Sequence, residues 1–340
     1  MGEDPEWAYP VAPAARDKAA LKRVPGSARA YTQAQIDDGF NPPDWFPGEH
    51  PPMPEIVAHG RPPEVRACAF CHLPSGDGRP ETARLAGSPA AYLMRQLAQY
   101  RSGERRGVRA GIMAEIARAI SDEEARAASE YFASLKPRLR IRVVEARIAP
   151  KSFVDAGGTR FAAPGGETEP IKDRIIELAE DGERVRSRDS RAGFIAYVPA
   201  GSIEKGKELV TTGGTGTTLP CDSCHGPSLQ GLGDAPGIAG RSPLYVFRQL
   251  RDMKIGNRSG PAMELMKVVV ARLDLEDMIA IAAYIGSLDP RPPQPASISP
   301  GPGLPAAEKS LPGPRAPPPA LIPQSPEAPA AEKSEPGPSH

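Results

Sequence analysis

Cys68-Ala69-Phe70-Cys71-His72 and Cys221-Asp222-Ser223-Cys224-His225 share the pattern C-x-x-C-H, lie 153 residues apart, and consume all four cysteines of a 340-residue chain. Outward from these pentads, residues 68 to 135 align without a gap on residues 221 to 288, with 21 of 68 positions identical. Self-similarity at a constant offset marks a duplicated unit. The shared positions include Gly87/Gly240, Tyr92/Tyr245, Gln96/Gln249, Met113/Met266, Tyr131/Tyr284 and Leu135/Leu288.

Each copy reads as mostly helical. Residues 90–101 and 243–254 carry apolar side chains at helical spacing (Tyr92, Leu93, Leu97, Tyr100; Tyr245, Val246, Leu250, Met253), and Gly103 and Gly256 follow as stop signals. Ser121 and Asp274 sit where an N-cap belongs, each with acid in the following turn, and open a last helix that runs to Leu135 or Leu288. A further short helix is expected before each cysteine pair, most visibly over Ile203 to Val210.

The remainder of the chain is different. It holds 42 prolines, 17 of them in residues 290–340, where no hydrophobic periodicity exists and a core cannot form. Residues 1–60 are also spiked with proline, but Trp45 and Phe46 are costly to leave bare, so this arm is expected to lie against a domain. Residues 139–143, 174–178 and 193–198 are β-branched and aromatic enough to be strands. The expected organisation is mainly α: an arm (1–60), a first helical domain (61–138), a β-containing insert (139–200), a second helical domain (201–289) and a disordered proline-rich tail (290–340).

Balanced charge, 42 basic against 42 acidic side chains, argues against nucleic acid as a partner of the whole chain. No apolar run approaches the ~18 residues of a membrane span. The amino terminus has neither a basic n-region nor an apolar h-region, so the chain is expected to be an exported protein whose signal has been removed or lies upstream of the assigned start.

C-x-x-C-H is the spacing of covalent haem c attachment: two thiols three apart form thioethers to the two vinyl groups of one porphyrin, and the next histidine becomes the proximal iron ligand. Cys68, Cys71, Cys221 and Cys224 are thus the expected attachment residues, with His72 and His225 as proximal ligands, for two haem c groups. A thioredoxin-type dithiol needs a βαβ setting and no following histidine. A shared zinc site would have to join pairs 150 residues apart, and disulfides between cysteines three apart in a helix would be strained. For the sixth iron position, Met113 and Met266 each lie 41 residues after the histidine and eight before the last helix cap. Met263 competes in the second copy, but the repeat alignment favours Met266. Met94, Met253 and Met278 read as packing residues, His50 and His59 as surface or capping groups, and His340 as part of the tail. His/Met ligation saturates the iron and suits one-electron exchange.

These motifs resemble the two-domain diheme class I c-type cytochromes, the cytochrome c4 group. The resemblance rests on the paired C-x-x-C-H, on 83–87 and 236–240 with their Leu/Ile-Ala-Gly ending, on Tyr92–Leu97 and Tyr245–Leu250, on Arg101-Ser102-Gly103-Glu104-Arg105, and on Met113 and Met266. It implies a periplasmic one-electron carrier between a donor, a dehydrogenase or quinol-oxidising complex, and a terminal oxidase. It further implies that Pro236 offers its carbonyl to the Nδ1 of His225, the first copy having Ala83 at that place. An electron-accepting subunit of a periplasmic dehydrogenase and a diheme peroxidase are the alternatives; the paired methionines argue against the second. Arg95, Arg101, Arg105, Arg106 and Arg109 precede Met113, and Arg248, Arg251, Lys254 and Arg258 precede Met266. They read either as solvated helix faces or as a basic rim that steers an acidic partner.

Overall fold

The computed structural model describes residues 17–107, 110–155 and 157–291; the expected tail lies outside them from residue 292 onward. The arm holds a short antiparallel pair, β1 (Leu21–Lys22) and β2 (Tyr31–Thr32), and a helical turn, α1 (Gln33–Ile36), which Thr32 and Gln35 close in a capping box. Trp45 and Phe46 are buried in a small apolar cluster with Val24 and Ile36. The surface that holds them belongs to the insert: the Trp45 indole donates to the Ser187 carbonyl at 2.8 Å, and the Arg191 guanidinium lies 3.7 Å over the Phe46 ring.

The first copy comprises α2 (Glu55–Ala58), α3 (Cys68–His72), α4 (Ala90–Ser102), α5 (Ala110–Ala119) and α6 (Asp122–Ser134). Both expected ends are present: Gly103 terminates α4 with a left-handed φ of 80°, and Ser121 caps α6 in a box with Glu124. Leu93 from α4 packs with Ala125, Ala128, Tyr131 and Phe132 from α6, so the repeated apolar positions face one another.

The insert contributes β3 (Ile141–Glu145), β4 (Ile148–Pro150), β5 (Ser152–Val154), β6 (Arg160–Ala162), β7 (Thr168–Pro170), β8 (Ile176–Ala179), α7 (Gly182–Arg186) and β9 (Phe194–Val198). Its main sheet has the order β3-β9-β8, with β3 parallel and β8 antiparallel to the central β9. Two antiparallel pairs, β4-β7 and β5-β6, complete it. The central β9 alternates buried and partly exposed residues, the period-two pattern of a strand with one covered face.

The second copy comprises α8 (Ser202–Thr212), α9 (Asp222–His225), the short pair β10 (Gly231–Leu232) and β11 (Ala235–Pro236), α10 (Pro243–Lys254), a 3₁₀ turn (Pro261–Met263), α11 (Glu264–Val270) and α12 (Leu275–Ser287). Asp274 caps α12 in a box with Asp277, and α12 is apolar on nearly every side because α8, α10 and β3 all pack on it. The shared Gly87 and Gly240 have φ of 70° and 64°, and in both copies their N–H reaches a carbonyl of the last helix, Phe132 or Ile285. A Cβ at Gly240 would come within 2.7 Å of Pro290, which is why this position keeps glycine.

Candidate cofactor centres

Each pentad folds into a single helical turn, α3 or α9 with Cys221 at its N-cap, which sets the two thiols of a pair on one side. No disulfide joins any of the four cysteines. Burial pushes the Cys68 and Cys221 thiols up to about 12 and raises Cys71 as well. A redox dithiol or thiolate metal site requires the opposite shift. Among the described residues no three His, Cys, Asp or Glu side chains gather around a common point, so the pairs do not merge into one zinc site.

The histidines occupy matching positions. Nδ1 of His72 is 2.9 Å from the Ala83 carbonyl, and Nδ1 of His225 is 2.8 Å from the Pro236 carbonyl. A carbonyl only accepts, so Nδ1 carries the proton and Nε2 is left with its lone pair, the tautomer an iron ligand needs. Burial holds both rings below the usual histidine range, with Arg105 and Arg241 adding to the effect at His72 and His225 respectively. Ala83 thus places its carbonyl as Pro236 does, without the rigid ring.

Met113 lies in the first turn of α5 and Met266 in α11; both are partly buried, and Met266 packs against the core of the second copy. Met263 is 6% exposed inside that core, and its counterpart in the first copy is Ala110. Met253 and Met278 are core residues and Met94 packs against the first core. His59 is at the surface, with its ring nitrogen 2.8 Å from Asn41 Oδ1. His50 is not a surface group: its side chain is 7% exposed, 3.2 Å from Asp44, and edge-on to Tyr131.

Two residues of the supposed basic rim prove to be buried instead. Arg105 and Arg258, 7% and 4% exposed, lie in the seam between the copies, where their backbones form an antiparallel bridge. Their bonds are reciprocal. Arg105 donates to Gln96 at 2.8 Å, Gln249 at 2.9 Å and Tyr245 at 3.1 Å, while Arg258 donates to Gln249 at 3.1 Å, Gln96 at 2.8 Å and Tyr92 at 3.3 Å. Burial alone would raise the Tyr245 phenol, but Arg105, Arg241 and Arg258 bring it down to about 8. All three pairs are repeat equivalents, and identical polar residues outside the cofactor motif were the signal for this seam.

The residues fit haem c. Each copy offers two thiols on one side of a turn, a histidine with Nε2 free, and a methionine at a common spacing. Among the described residues the seam is cationic, with hydrogen bonds from Arg105 and Arg258 to glutamine and tyrosine and none to a carboxylate, and the buried Nε of Arg258 has no acceptor. Such a surround suits a group that carries carboxylate arms.

No family model matches the chain. It is similar to the thiosulfate dehydrogenase electron acceptor of Thiomonas intermedia (strain K12), 28% identical over 240 residues, which are 69% of this chain and 85% of that protein. Cytochrome c4 of Stutzerimonas stutzeri is 25% identical over 231 residues, 66% of this chain and 86% of that protein. Cytochrome c-554(548) of Halomonas halodenitrificans is 33% identical over 72 residues, 21% of this chain and 87% of that protein. With both C-x-x-C-H turns, both histidine tethers and these relatives in view, the chain belongs to the c-type cytochromes, as a two-domain diheme member of the cytochrome c4 kind.

Proposed function

We propose that the protein is a periplasmic one-electron carrier in which Cys68 and Cys71, and Cys221 and Cys224, hold one haem c per copy through thioethers. His72 and His225 supply the proximal nitrogen, and Met113 and Met266 the distal sulfur. When bound, haem c supplies the Fe(III)/Fe(II) couple. The observation that carries this reading is the paired Nδ1 tether, at Ala83 in one copy and Pro236 in the other. The tether fixes the tautomer, so that each Nε2 keeps the lone pair with which it would hold the iron of a bound haem. Met266 is preferred to Met263 because the repeat supplies Met113 at the same place. Neutral histidine and thioether ligands leave both iron positions filled, which favours electron exchange over ligand chemistry.

Intact-mass measurement of the exported protein tests attachment: two haem masses are expected, with one lost in Cys71→Ala/His72→Ala and the other in Cys224→Ala/His225→Ala. An unmodified mass in the wild type would refute it. A second reading, electron acceptor of a thiosulfate-oxidising dehydrogenase, is supported by the relative from Thiomonas intermedia named for that role. Rapid reduction by such a dehydrogenase with thiosulfate, and none by a quinol-oxidising complex, would select it.

A further inference from the structure

Five arginines line one cavity where the two copies meet the insert: Arg79, Arg84 and Arg138 from the first helical domain, Arg241 from the second, and Arg140 from the start of the insert. Asp77 is the one carboxylate among the lining residues. Arg138 is paired with it at 2.8 Å and with Glu49 at 2.8 Å, and Arg79 lies 3.7 Å from Glu81. The other three have no acidic partner among the described residues. Arg84 donates to the carbonyls of Ala239 and Gly240, Arg140 to those of Ala192 and Gly78, and Arg241 to those of Gly237 and Arg84 and to the Ser88 hydroxyl. The Nε of Arg84 is buried with no acceptor among the described residues.

Buried guanidinium groups supported only by neutral dipoles are costly, and their charge calls for an anion. Burial, with Arg241 alongside, brings Arg84 down to about 9, and burial brings Arg140 down to about 10. Both histidine tethers lead into this place. Arg84 follows Ala83 directly, and Arg241 binds the carbonyl of Gly237, the residue after Pro236.

We propose that this cavity receives propionate carboxylates of the attached porphyrins and that Arg140, carried by the insert and not by either repeat, is a positioning residue whose charge raises the iron potential. This rests on the diheme reading above. A cation beside a haem carboxylate offsets its negative charge and favours the ferrous iron, so the insert joins the two copies electrostatically as well as mechanically.

The test is spectroelectrochemical titration of the holoprotein and its Arg140→Gln and Arg140→Lys variants, with haem content and the ferric methionine-to-iron band recorded alongside. Arg140→Gln should lower at least one midpoint potential with the band retained, Arg140→Lys should restore it, and Arg95→Gln at the exposed pair with Asp234 should leave both potentials unchanged. If Arg140→Gln fails to fold, Arg84→Gln should give the same downward shift. Unchanged potentials in the Gln variants would overturn the proposal while leaving two attached haems in place. It would equally be overturned if wild-type potentials moved with inorganic phosphate at fixed ionic strength and Arg140→Gln abolished that response, since the cavity would then hold a free anion. Absence of attached haem would instead refute the diheme reading.

Discussion

Glu177→Gln should stabilise the protein above pH 7 while leaving it nearly unchanged, relative to wild type, near pH 4. Glu177 lies on β8 with 1% exposure. Its Oε2 accepts from the Ser242 hydroxyl at 2.7 Å and the Leu244 N–H at 3.1 Å, at the start of α10, while Oε1 is buried without a partner among the described residues. Burial pushes the carboxyl from 4.5 up to about 7, the bonds from Ser242 and Leu244 and the charge of Arg248 offset part of that rise, and Glu81 adds to it. The folded protein therefore holds this proton more tightly than the unfolded chain. The proton-linked stability is fully present below pH 4.5 and is lost as pH rises through about 7. At 1.36 kcal/mol per pH unit the loss amounts to roughly 3 kcal/mol. Gln keeps an acceptor oxygen for Ser242 and Leu244 and never ionises, so any cost of its amide is the same at every pH. Guanidinium unfolding of both holoproteins from pH 4 to pH 8.5 should show the variant gaining roughly 3 kcal/mol on wild type across that range. Parallel stability curves, or a wild type that gains on the variant as pH rises, would refute the reasoning.

Gly240→Ala should cost at least about 2 kcal/mol, since a left-handed φ and a contact of 2.7 Å with Pro290 act together, and Gly87→Ala should cost less because its nearest contact is 3.0 Å; thermal unfolding ranks them. Trp45→Ala removes a side chain 2% exposed and a bond to Ser187, so it should weaken the arm by about 3 kcal/mol or more and expose residues 17–50 to limited proteolysis ahead of either copy. His50 is held above its ordinary range by its bond to Asp44 against the opposing effect of burial, so the stability it contributes is present below pH 6.5 and fades as pH rises; NMR titration should place its midpoint above 6.5, and His50→Phe should flatten the dependence.

The two C-x-x-C-H turns were legible because their geometry is local: residues three apart on one turn need no knowledge of the rest of the fold. Helix ends were legible for the same reason, since Ser121 and Asp274 make their cap bonds within three residues. The three longest insert strands fall within two or three residues of the expected segments because β-branched and aromatic residues concentrate there. The hairpins β4-β7 and β5-β6 escaped notice: strands of three residues interrupted by proline and glycine leave no alternating pattern. Arg105 and Arg258 were misread as surface charge because helical periodicity identifies a polar position but not what covers it. Their burial arises from a second copy meeting the first, a long-range event no local window contains. The arm was read correctly as needing cover, while the identity of that cover, Ser187 and Arg191 more than 140 residues away, came only from the fold.

The central claim is two covalently held haems, each with histidine and methionine on its iron. Its most direct test is spectroelectrochemical titration of the wild-type holoprotein beside Met113→Ala, Met266→Ala and Met263→Leu. The account predicts two one-electron waves in the wild type, a downward shift of one wave with partial loss of the ferric methionine-to-iron band in Met113→Ala, the same at the other wave in Met266→Ala, and neither change in Met263→Leu. Unaltered potentials and band in Met113→Ala and Met266→Ala, or one haem in place of two, would contradict it.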